Sequence, residues 1–96
     1  MLELFCENVE MNYSTKTLEV IFQVNMTDGE LIEKFNLLDA REPIVNIYVG
    51  INNDTTIKYI NCDYHTCDGE HWYSLNHIFS DEDVQLLQKE VIRFIK

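Results

Sequence analysis

Ninety-six residues, 46% of them hydrophobic, are enough for one core and leave no room for a second, so a single domain over 1–96 is expected. Seventeen acids face seven bases, a formal charge of −10, which argues against direct nucleic-acid binding because holding a phosphate backbone takes clustered Lys and Arg. No apolar run approaches the ~20 residues of a membrane span, and the opening MLELFCENVEM lacks the basic flank of an export signal. A cytoplasmic location is therefore expected. Three cysteines fit that compartment, since an odd number cannot close a disulfide framework and cytosolic thiols stay reduced. Ten isoleucines and nine asparagines are a bias found in AT-rich phage and bacterial genomes.

In chain order, residues 5–13 and 18–26 alternate as a hairpin around Ser14-Thr15-Lys16-Thr17. With Ser14 opposite Thr17, the pairs Tyr13–Leu18, Met11–Val20, Val9–Phe22 and Phe5–Met26 share one face. Glu7 opposite Val24 breaks the pattern. The reverse face, with Asn8, Glu10, Asn12, Glu19, Gln23 and Asn25, reads as solvent-facing, and Cys6 falls on that side as an exposed thiol. Thr27 and Glu30 form a capping box, and Leu31, Phe35 and Leu38 recur at helical spacing, which predicts a helix over about 28–39. Pro43 ends any continuation.

A turn at Asn53-Asp54 sets Ile47 against Ile60 and Val45 against Cys62 on one side, with Tyr48 against Tyr59 and Asn46 against Asn61 on the other. A second turn, at Asp68-Gly69, sets Tyr64 against Tyr73, Cys62 against Leu75 and His65 against Trp72. The two placements bury the same face. Ser80 then caps an amphipathic helix with acids in its first turn and an apolar stripe of Val84, Leu87, Val91, Phe94 and Ile95. The predicted class is α+β: two layers, a mainly antiparallel sheet in the order ββ-α-βββ-α, both helices on one sheet face.

The segment YHTCDGEHWY gathers two histidines, a cysteine and two acids around one Asp-Gly. Tetrahedral zinc needs four donors converging on a point. The register instead sends His65 and Cys67 to one face and Cys62, His71 and His77 to the other. No metal site or cofactor is expected on that register. No Gly-rich phosphate loop, GxSxG or HExxH occurs, and an acidic setting opposes thiolate formation at Cys67, so a non-enzymatic role is expected. Cys62 reads as a small core residue.

What remains is the outward face of the meander, where aromatic rings stand among polar groups as interface cores prefer. Residues 59–88 carry six acids and no Lys or Arg. Tyr48, Tyr59, Asp63, His65, Asp68, Glu70 and Trp72 are the candidate partner-binding residues. The expected function is a small acidic protein that binds and blocks a basic, nucleic-acid-handling protein such as a nuclease. In composition it is similar to phage inhibitors of bacterial defence such as anti-CRISPR proteins, and to nuclease immunity proteins. The alternatives are a self-associating module, with a homodimer possible, or a metal-binding or thiol enzyme.

Overall fold

A computed structural model describes residues 2–37, 41–66 and 72–95. The chain runs β1 (Leu4–Asn12), β2 (Thr17–Val24), α1 (Asp28–Phe35), β3 (Ile44–Ile51), β4 (Ile57–His65), β5 (Tyr73–Leu75) and α2 (Asp81–Ile95). The five strands form one antiparallel sheet in sequence order. Two-residue alternation explains its apolar face: Val20, Phe22, Val24, Val45, Ile47 and Val49 project there into one cluster with Leu31, Phe35, Leu37, Leu87 and Val91. The ring of Phe94 meets Phe22 edge-on at 6.3 Å. Gln88 reaches back from α2 to the β3–β4 turn, accepting from Ile57 N at 3.1 Å and donating to Thr55 O at 2.7 Å.

The first hairpin differs from its expected register by two residues, with Asn12 opposite Thr17, Met11 opposite Leu18 and Val9 opposite Val20. The cause lies in the turn. Asn12 Oδ1 accepts from Ser14 N at 3.0 Å and Thr15 N at 3.3 Å, and Lys16 takes φ 55°, so the loop spans residues 13–16. Tyr13 stands exposed in that loop instead of facing Leu18. A slip by two preserves the faces. A β-bulge at Glu7 does not, because one extra residue inverts the alternation beyond it. Leu4 and Cys6 turn toward the core, and Phe5 turns out to 63% exposure. The expected inward Phe5 and outward Cys6 are thus exchanged.

In the same way β3 and β4 are offset by two from expectation: Ile47 faces Cys62, Val45 faces Tyr64 and Tyr48 faces Asn61. The turn is again longer than two residues, closed by Asn52 N to Thr56 O at 2.8 Å and Thr55 N to Asn52 O at 3.0 Å, with Thr55 at φ 70°. The β4–β5 pairs Cys62–Leu75 and Tyr64–Tyr73 are those expected.

Thr27 caps α1 with the full capping box, Glu30 side chain returning to the cap. The helix stops at Phe35, four residues short of expectation, because Asn36 adopts the left-handed C-cap at φ 56°, ψ 49° and its N–H bonds Ile32 O. Leu38, expected on the helical stripe, lies outside the described residues. Ser80 caps α2 through Asp83 N to Ser80 Oγ at 3.2 Å. Asp83 itself is buried and pairs with Lys34 Nζ at 2.8 Å, joining the two helices. The stripe of α2 therefore runs through Asp83, Leu87 and Val91, and Phe94 lies at its exposed margin.

Candidate functional site

The face away from the apolar cluster is built from cross-strand rows. One row runs Phe5–Gln23–Asn46–Asp63–Ser74, the next Ile21–Tyr48–Asn61, and a third Glu10–Glu19–Gly50–Tyr59. The structure brings Tyr48, Tyr59, Asp63, His65 and Trp72 onto this face. Asp68 and Glu70 lie outside the described residues.

The rings do not pair as the sequence suggests. Tyr48 is beside Asn61, and its hydroxyl donates to Asp63 Oδ1 at 3.2 Å. Tyr59 lies instead over Gly50, where any Cβ would collide with its ring. A strand glycine beside a cross-strand aromatic is a known pairing, since the ring covers the backbone that glycine leaves bare. From there the Tyr59 hydroxyl donates to Glu19 Oε2 at 2.5 Å, and Asn12 Nδ2 donates to the same oxygen at 3.2 Å. Glu19 is consequently 6% exposed, not solvent-facing. Ile21 is buried beside it. The sequence signals for this corner were Gly50 inside an apolar strand and a lone acid, Glu19, between Leu18 and Val20.

At the other corner His65 and Trp72 stack, centroids 4.1 Å apart and planes 22° from parallel, with Trp72 46% exposed. That is the pair the sequence predicts. Burial pushes the Asp63 carboxyl above the ordinary carboxylate range, opposed by the Tyr48 hydrogen bond and the nearby His65. Burial likewise raises the Tyr48 and Tyr59 hydroxyls.

The six acids of residues 59–88 are not equivalent. Asp81 and Glu82 are exposed, Asp63 is half-buried, and Asp83 is engaged by Lys34.

His77 stands apart from this face, its ring 4.6 Å from both Phe35 and Phe79. Cys62 is buried with Sγ 3.7 Å from Leu75 O. Burial raises the thiols of both Cys6 and Cys62, which makes them poor nucleophiles. Among the described residues no three His, Cys, Asp or Glu side chains gather as a metal-holding group; Cys67 and His71 lie outside them. Among the described residues no helix is long and apolar enough to cross a membrane. The chain matches no family model, and comparison with curated proteins and with solved structures finds no significant similarity.

Proposed function

We propose that the chain is a small acidic, non-enzymatic domain that docks on and blocks a basic, nucleic-acid-handling protein. In this reading both helices cover the apolar side of the sheet as one layer, and the opposite side receives the partner. The observation that carries it is the ring-bearing face itself. Trp72 and Tyr48 stand there among Asp63, Asn61 and Ser74, a mixture of aromatic and polar groups suited to a contact surface. The formal charge of −10 supports electrostatic approach to a basic surface, followed by anchoring through the rings. The phage-inhibitor or immunity-protein role belongs to this same reading.

A pull-down from the native host, identified by mass spectrometry and repeated across salt, tests it. The expected result is a basic partner retained at low ionic strength and weakened about tenfold or more toward ~0.5 M salt, where the Debye length is only a few ångströms. Equal retention throughout would overturn the charge mechanism.

A second reading, self-association, has its own support in the outer strand β1, where Phe5, Val9 and Met11 are exposed. Light scattering at high protein concentration separates the two. A dimer would favour self-association, and a monomer leaves the docking reading.

A further inference from the structure

We infer that the Asn46–Asp63–His65 corner of the outward face is a receptor for one arginine side chain of the partner, an inference that rests on the reading of this face as a docking surface. Asn46 is only 8% exposed, yet its Oδ1 accepts no hydrogen bond among the described residues. His65 Nδ1 is also buried and has no partner among the described residues. Buried polar atoms nearly always have partners, because leaving one unmatched forfeits its hydration without return. Two such atoms in one corner are hydrogen-bonding capacity that a polar guest would use.

Between them stands Asp63. It is the direct cross-strand neighbour of Asn46 and lies two residues from His65 on the same strand, so all three project from one face. Within the described residues its carboxylate accepts only from Tyr48, through Oδ1. The corner thus sets a carboxylate and a buried amide oxygen at directly paired positions, bordered by the flat His65–Trp72 stack.

Those features select among guests. An anion is repelled by Asp63. A lysine ammonium is a compact, strongly hydrated charge with no plane to stack. A guanidinium carries five N–H donors in a planar fork, can serve two neighbouring acceptors together, and lies favourably on an indole face. Trp72 has one face toward His65 and remains nearly half exposed. Arginine therefore meets every requirement of the corner at once.

The test is an amide and side-chain NMR titration of the full chain with N-acetyl-arginine amide, with N-acetyl-lysine amide as the comparison. Saturable millimolar binding of the arginine compound should move the Asn46 side-chain amide and Trp72 indole signals, with lysine about tenfold weaker or more. Asp63→Asn and Asn46→Leu should each weaken the response about tenfold, while the remaining spectrum reports an intact fold. Equal response to lysine, shifts spread over exposed acids such as Asp81 and Glu82, or full binding by Asp63→Asn would overturn the inference. Salt-sensitive capture of a partner that Asp63→Asn leaves untouched sinks the arginine corner and spares the docking reading. Arginine binding in a chain that captures no basic partner sinks the docking reading and spares the corner.

Discussion

The two faces of the sheet reach burial by different routes. Toward the apolar cluster, Val20, Phe22, Val45, Ile47 and Val49 are completely sealed, in the company of Leu87 and Val91 from α2. On the reverse, Glu19, Ile21 and Asn46 are nearly as inaccessible, and the groups that bond Glu19 come from other strands of the same sheet. The Tyr59 ring lies across Gly50, the Tyr48 hydroxyl caps Asp63, and Asn12 and Tyr59 close over Glu19. Burial between layers rests on close packing and resists change. Lateral burial of Glu19 rests on a few rotatable side chains, so it should yield more readily than the core.

The sharpest way to break this contrast is to cut into both faces and compare. Phe22→Ala should cost about 3–5 kcal/mol in urea unfolding at an unchanged m-value, as expected for a void in a sealed core. Tyr59→Phe should cost less, about 1–2 kcal/mol, by leaving Glu19 with Asn12 as its remaining donor among the described residues. Equal losses would mean that the reverse face is as rigid as the core.

A smaller effect belongs to His77. Burial against Phe35 and Phe79, then the charge of Lys34, hold its pKa below the ordinary 6.5, with Asp83 opposing. The unfolded chain therefore takes up a proton that the native state refuses. Stability is full above pH 6.5 and declines as pH falls through the lower native value. Thermal melts from pH 7.5 down to 5 should show this slope, and His77→Phe should flatten it.

The smallest effect has the opposite sign. The native Asp63 pKa lies above the ordinary 3.8, so its contribution is favourable below that value and is lost as pH rises through the native one. At neutral pH Asp63→Asn should raise the melting temperature, by no more than a few degrees. A substitution that stabilises the fold while weakening the arginine response would separate the needs of the site from those of the scaffold.

How far the sequence reveals this molecule depends on the length of the pattern read. Face assignment in β2, β3 and the pairing of β4 with β5 follows from alternation, and His65 against Trp72 comes with it. The absolute pairing of β1 with β2 and of β3 with β4 does not, because a slip by two leaves every face unchanged. Only turn geometry decides it, and both turns are longer than a two-residue reading allows. The bulge at Glu7 was visible as a misplaced acid, but its effect on Phe5 and Cys6 required knowing that the strand absorbs one extra residue. Asn36 carried a legible helix stop, being a residue that tolerates the left-handed conformation. That Asn46 Oδ1 and His65 Nδ1 lack partners among the described residues had no signature at all, since it arises from the sum of several neighbours.

The bulge at Glu7 also bears on how the molecule keeps to itself. β1 is an outer strand with one ribbon edge unpaired in the sheet order, and a straight nine-residue ribbon there would be a template for further copies. One surplus glutamate bends that ribbon and leaves a negative charge beside the bend. A chain with Glu7 deleted should present a smooth border, and its failure should be seen as ordered stacking into fibrils rather than as loss of fold.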